Sequence, residues 1–241
     1  MKINIQIILW IISILFIISC GDKNEMDADS SEIPDSPIKG IVRREHFINR
    51  YYDINDVTIG RRGVNHESDY FVISILVNGS KYTSNDDQYN QIAKQIGDTC
   101  WNGYNDPSYA AVNDEIKAID VICVDAYDDK HGEGSSLSDI ATVVLASPYN
   151  FIKSGYKDER KQEEIESIKD YYRPYYISFI DHYDITSVNM NDLGSTNVKY
   201  FDPEIFIIFN KLPAEKGIYR FYVTVKFSDK KFKKMVTINL Y

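Results

Sequence analysis

The sequence predicts a mainly β protein, an antiparallel β-sandwich with one or two peripheral helices. Three observations carry that expectation. From Ile218 to Phe227 the odd positions Tyr219, Phe221, Val223, Val225 and Phe227 are apolar while Arg220, Thr224 and Lys226 face the other way, the period of a half-buried strand. Runs such as Phe71–Val77 and Glu204–Phe209 are rich in β-branched and aromatic residues, as buried strands are. Only two stretches carry helical spacing, too few for the alternating strands and helices of a doubly wound sheet.

Composition sets the outer limits. The chain has 241 residues, 44% hydrophobic and 26% charged, an ordinary globular balance with enough length for a sizeable core. Its net charge of -9, from 36 acidic and 27 basic residues, excludes nucleic acid as a partner, because phosphate recognition needs a basic footprint. Twelve Gly and seven Pro exclude collagen-like and low-complexity architectures, and no solenoid period is visible.

Taken in order, Phe71–Val77 is apolar except for Ser74 and runs into Asn78-Gly79, so a strand, a two-residue turn and a second strand are expected. Ser84 and Asp87 frame a capping box ahead of Tyr89, Ile92, Ala93 and Ile96, and Gly97 ends that short amphipathic helix. Ala118–Tyr127 reads as a strand buried on both faces, and Asp128–Ser136, with two glycines, as a loop. Leu137–Ala146 stays open: Ser138-Asp139 suit a helix cap, whereas Thr142, Val143 and Val144 favour strand.

Lys157–Tyr172 is charge-rich with Ile165 and Ile168 on a narrow stripe, an exposed helix decorating the domain and ending before Arg173-Pro174. After Ser228-Asp229-Lys230, the even positions Phe232, Val236, Ile238 and Leu240 complete a terminal hairpin. That hairpin resembles the last two strands of immunoglobulin-like modules of bacterial surface proteins.

The amino terminus carries the most specific signal. Lys2 supplies a basic region, and Ile7–Ile18, broken only by Ser13, has the length of a signal-peptide core and is short for a membrane span. Ile17, Ile18, Ser19 and Cys20 resemble the lipobox of bacterial lipoproteins. The resemblance implies diacylglycerol on the Cys20 thiol, cleavage ahead of it and acylation, commonly palmitate-like, of the new amine. Two or three such chains anchor durably without a spanning helix.

Gly21 after the cysteine resembles lipoproteins sent to the outer membrane, and Asp22 and Glu25 resemble the acidic export tags of Bacteroidota surface lipoproteins. The expected organisation is a signal peptide over 1–19, a lipidated acidic tether over 20–39 and a single β-rich domain over 40–241. Between Gly21 and Lys39 there are six acidic and two basic side chains, the composition of a solvated linker. The layout as a whole resembles single-domain Bacteroidota lipoproteins, a likeness that implies no activity.

With Cys20 assigned to lipid, Cys100 and Cys123 remain as a pair. Outside the cytoplasm such a pair tends to oxidise, and closing this loop would contribute about 3 kcal/mol; two buried thiols are the alternative. Cys100-Trp101 with Gln95 upstream resembles the nucleophile segment of papain-like proteases, but Gln95 is one residue too close and Gly97 stands where that family has its other cysteine. His131 and His182, the later histidines, sit in no base motif.

Asp125, Asp128, Asp129 and Glu133 could offer hard oxygen ligands, yet they do not match an EF-hand loop, and His46, His66, His131 and His182 show no zinc spacing. No metal or cofactor is expected. Nucleotide loops and the Gly-x-Ser-x-Gly elbow are absent, so no enzyme activity is expected.

Tyr171, Tyr172, Tyr175 and Tyr176 flank Arg173-Pro174 in a chain of 19 tyrosines. Such rings stack on sugars, line protein interfaces or fill cores. The expected function is a lipid-anchored outer-membrane protein, facing the periplasm or the cell surface, that binds glycan or protein through these tyrosines. The alternatives are a fibre subunit adding the strand Phe232–Tyr241 to a neighbour, and an envelope hydrolase.

Overall fold

The computed structural model describes residues 43–104, 109–175, 177–178 and 181–240. The signal peptide, Cys20 and the acidic tether lie outside the described residues, as does Tyr176. The chain is mainly β, and its two large sheets face each other across a common core.

The larger sheet has six strands in the order β5-β2-β3-β9-β7-β8: β2 is Arg50–Asn65, β3 Tyr70–Tyr82, β5 Ala110–Val112, β7 Ala141–Ser147, β8 Asp184–Asn189 and β9 Glu204–Phe209. The smaller has three, β11-β10-β6, with β6 at Ile116–Cys123, β10 at Gly217–Phe227 and β11 at Lys231–Leu240. A two-residue pair joins β1 (Arg43–Arg44) to β4 (Gly103–Tyr104). The described pairings are antiparallel except β2 with β5, which run parallel with Tyr51 beside Ala111.

The continuous apolar runs belong to strands in the middle of the six-stranded sheet, where both faces are covered. Phe71, Ile73, Ile75 and Val77 of β3, with Ile205, Ile207 and Phe209 of β9, enter the core between the sheets. The intervening Val72, Phe206 and Ile208 face the opposite side, into a cluster closed by Tyr172 and Ile177. The smaller sheet supplies Tyr219, Phe221, Val223, Val225 and Phe227 to the inter-sheet core, as the alternation predicts, and Ser228–Lys230 turns the chain into β11. The buried clusters of the described residues run from Phe47 to Leu240, each buried Phe or Ile contributing about 1.5–3 kcal/mol.

Helix α1 (Asp87–Ile96) buries Tyr89, Ile92, Ala93 and Ile96 and stops at Gly97 with φ 82°, a left-handed conformation that glycine adopts without a Cβ penalty. Its N-cap is Asp86 rather than Ser84, and the Asp86 carboxylate accepts hydrogen bonds from the Thr83 N–H at 2.6 Å and hydroxyl at 3.1 Å. A five-residue helix, α2 (Tyr149–Lys153), packs Phe151 and Ile152 into the same cluster as α1. Helix α3 (Gln162–Tyr172) starts later than expected and is more than a decoration: Tyr172 and the partly buried Ile168 cover the outer face of the large sheet.

Two further expectations are corrected. Asn78-Gly79 is not a turn but lies inside β3, opposite a bulge in β2: Ile54 pairs with Gly79 and Asp56 with Asn78, leaving Asn55 as the extra residue. The actual turn spans Asn65–Asp69, where the Asn65 side-chain oxygen accepts from the N–H groups of Glu67 and Ser68 and Asp69 has φ 53°. Glycine serves the bulge for the same reason it serves turns, the absence of a Cβ where backbones approach closely.

The strand expected over Ala118–Tyr127 with both faces buried is instead β6, an edge strand that buries Ile119, Val121 and Cys123 and leaves Asp120 and Ile122 half-exposed. Leu137–Ala146 satisfies both of its readings in sequence: a 3-10 turn at Ser138–Ile140 runs directly into β7.

Candidate functional site

A cleft of about 400 Å³ opens on the outer side of the six-stranded sheet, lined by Arg62, Arg173, Ile177 and Ser178. Each arginine is placed by an irregularity in its element. In β2, Arg61 pairs with Ile73 and Gly63 with Val72, so Arg62 is the extra residue of a second bulge, the device by which a strand redirects one side chain. Arg173 follows α3 in the 3-10 turn Arg173–Tyr175. That turn is fixed by Ile177, buried beneath it, and by the Tyr70 hydroxyl, which donates to the Pro174 carbonyl.

Both guanidinium groups have carboxylate neighbours: Arg62 lies 3.7 Å from Glu204 and Arg173 lies 2.7 Å from Asp170. Both remain substantially exposed, with side-chain exposures of 42% for Arg62 and 74% for Arg173, and a guanidinium fork has the planar geometry that matches a carboxylate.

The tyrosine segment is divided by the fold. Tyr172 is 7% exposed and belongs to the outer-face core, while Tyr175 is half-buried with its ring 4.6 Å from Tyr70. Tyr171 is 64% exposed and packs edge-on against Tyr172. Tyr172 therefore carries packing rather than ligand contact. Burial, followed by the neighbouring tyrosines, raises the Tyr175 hydroxyl above its usual range.

The expected Cys100–Cys123 bond is not formed. Cys123 is a free thiol, fully buried where β6 faces the inter-sheet core, whereas Cys100 lies on the exposed connection between α1 and β4. Sequence separation says nothing of such a difference in depth. Burial pushes the Cys123 thiol up to about 11, which keeps it protonated and unreactive at neutral pH.

Next to Cys100, the Trp101 ring packs edge-on against Phe47 at 5.2 Å, with Tyr156 at 5.4 Å. His182 stacks flat on Phe151 at 4.5 Å and stands 3.5 Å from the Asp158 carboxylate. These residues fill the aromatic cluster beneath α1 and α2.

At the base of that cluster, Asp98 is fully buried directly after Gly97. Its carboxylate accepts from the N–H groups of Phe47 at 2.7 Å and Ile48 at 3.0 Å, and from the hydroxyls of Tyr51 at 3.1 Å and Tyr156 at 2.9 Å. Burial raises the Asp98 carboxyl above its ordinary value, with these hydrogen bonds opposing the rise. The four donors tie the segment before β2 to α1 and to the turn after α2.

The acidic glycine loop is organised by His131. Its Nδ1 lies 2.8 Å from Asp128 and its Nε2 lies 3.0 Å from Asp139, while Lys211 reaches Asp128 at 2.7 Å. The Lys211 bond and those from His131 hold the Asp128 carboxyl well below the usual range. Asp125 pairs instead with Arg220 at 2.6 Å. These contacts close a loop by internal charge pairing, and among the described residues no group of three or more His, Cys, Asp or Glu side chains could hold a metal ion.

Strand β11 is an edge of the small sheet, and β2 guards it. Arg61 donates to the Asn239 carbonyl at 2.7 Å, Lys234 pairs with Asp56 at 2.7 Å, and Lys230 reaches both Asp53 and the Ile54 carbonyl. Charged side chains along an edge are a known defence against strand addition.

Sequence reasoning missed Arg62, Arg173 and Asp98. The one legible trace was Arg61-Arg62 ahead of a glycine within a β-branched region, a pattern compatible with a bulge. No family model, curated protein or solved structure matches the chain.

Proposed function

We propose that this chain is an envelope protein anchored through lipid on Cys20, and that its β-rich domain is a non-enzymatic binding module for carboxylate-bearing glycans. The observation that supports the binding reading is the open cleft between Arg62 and Arg173. Two guanidinium forks presented from separate elements match the planar carboxylates of uronic-acid sugars. Ile177 and Ser178 add a small apolar floor and a polar rim. Tyr171, exposed on the last turn of α3, is the ring available to stack on a sugar face.

Calorimetric titration of the domain with an oligogalacturonate and with a neutral glucan of equal length tests the reading. The acidic oligomer binds, the neutral one does not, and Arg62→Ala with Arg173→Ala abolishes the signal without lowering the melting temperature. Equal binding of both sugars, or none of either, removes the proposal. Labelling of the expressed protein with radioactive palmitate, lost in Cys20→Ser, tests the anchor separately.

A further inference from the structure

We propose that the solvent face of the three-stranded sheet docks on an anionic lipid bilayer. The face is defined by strand register. Lys226 lies opposite Lys231, Thr224 lies between Lys233 and Asp120, and Tyr222 lies between Met235 and Ile122. Three of the five large exposed hydrophobics among the described residues are here: Ile218 at 60%, Met235 at 59% and Tyr222 at 36%.

Lys226 and Lys231 are directly cross-strand, an arrangement that costs stability because like charges face each other at close range. No described ion pair engages Lys226, Lys231 or Lys233, although the Lys233 ammonium sits 4.5 Å above the Tyr222 ring. Two acidic groups near this face are engaged elsewhere, Asp120 accepting from the Ser136 and Ser138 hydroxyls and Asp125 pairing with Arg220, which leaves Asp229 of the connecting turn as one carboxylate beside three lysines.

Three lysines outside any described ion pair, in a chain of net charge -9, call for an anionic partner. Aliphatic and aromatic tips beside them suit a bilayer interface, where lysines meet headgroups and apolar tips enter the acyl boundary. A soluble polyanion would leave Ile218 and Met235 unused. The inference is independent of the arginine cleft, which lies on the outer face of the other sheet.

The test uses residues 40–241, which include the buried clusters of the described residues and omit Cys20, once a melt has shown that this part folds, with vesicles of phosphatidylcholine alone or mixed with phosphatidylglycerol. The domain sediments with the mixed vesicles and not with the neutral ones, and added salt weakens the association. Joint substitution Lys226→Gln, Lys231→Gln and Lys233→Gln lowers the affinity on the order of a hundredfold. Ile218→Ser with Met235→Ser also weakens association, even at low salt, and Arg62→Ala with Arg173→Ala leaves it intact. Circular dichroism melts confirm that each variant is folded. Failure to bind phosphatidylglycerol vesicles, binding indifferent to the lysines, or a stable dimer that Met235→Lys dissociates would overturn the proposal.

Discussion

A Cβ on Gly79 would stand 1.7 Å from the Asp53 carbonyl oxygen, because the β2 bulge at Asn55 brings that backbone against β3. Gly79→Ala must open the bulge or separate the strands, and it is expected to cost about 3 kcal/mol. Urea denaturation reads the loss directly. A variant as stable as the parent would mean that the bulge relaxes freely.

Asp98→Ala leaves two buried backbone N–H groups and two tyrosine hydroxyls without their acceptor, at an expected cost of about 3 kcal/mol. Tyr156→Phe removes one of four donors and costs about 1 kcal/mol. The ordering of the two variants in chemical denaturation separates a hub from a set of interchangeable contacts.

The tyrosines divide by depth. Tyr172→Ala, which empties part of the outer-face core, destabilises by about 3 kcal/mol, whereas Tyr171→Ala changes stability by less than about 0.5 kcal/mol and lowers affinity for the acidic sugar. Melting and titration of both variants decide it, and a shared melting loss would show that Tyr171 also packs.

Two carboxyl groups give stability opposite pH slopes. Burial raises Asp202 from 3.8 to about 6, so the folded state holds its proton more tightly and stability falls as pH rises from 3.8 to about 6. Asp202→Asn removes that fall and gains at most about 3 kcal/mol at pH 7. The bidentate Arg160 fork, at 2.6 and 2.8 Å, holds Asp158 down to about 2, so its contribution is present above 3.8 and is lost as pH falls toward 2. Melts from pH 2 to 8 of Asp202→Asn and Asp158→Asn distinguish the slopes, and parallel profiles would contradict both assignments.

Removing residues 231–241 takes Ile238 and Leu240 from the inter-sheet core together with the guard contacts from β2. The truncated domain is expected to unfold, read as loss of the near-ultraviolet dichroism. A folded truncation that accepts a synthetic Phe232–Tyr241 peptide would instead restore the strand-adding fibre subunit.

Much of the architecture was legible because periodicity reports burial. The odd positions of β10, the even positions of β11 and the four buried residues of α1 follow their side-chain patterns directly. Asn78-Gly79 misled because a dipeptide that relieves backbone crowding does so equally in a turn and opposite a bulge. Cys100 and Cys123 misled because pairing requires spatial proximity, which spacing does not encode. The tyrosine cluster was visible, but not which of its rings was buried.

By itself the sequence determined the β character of the domain, the faces of its terminal hairpin and the buried face of its first helix, since each follows from local periods of two or 3.6 residues. Only the tertiary structure decided which strands share a sheet, where the bulges fall and that Arg62 and Arg173 meet. Those outcomes depend on strand register and on contacts between residues more than a hundred positions apart, where the free energy of burial is shared among segments and no single segment records it.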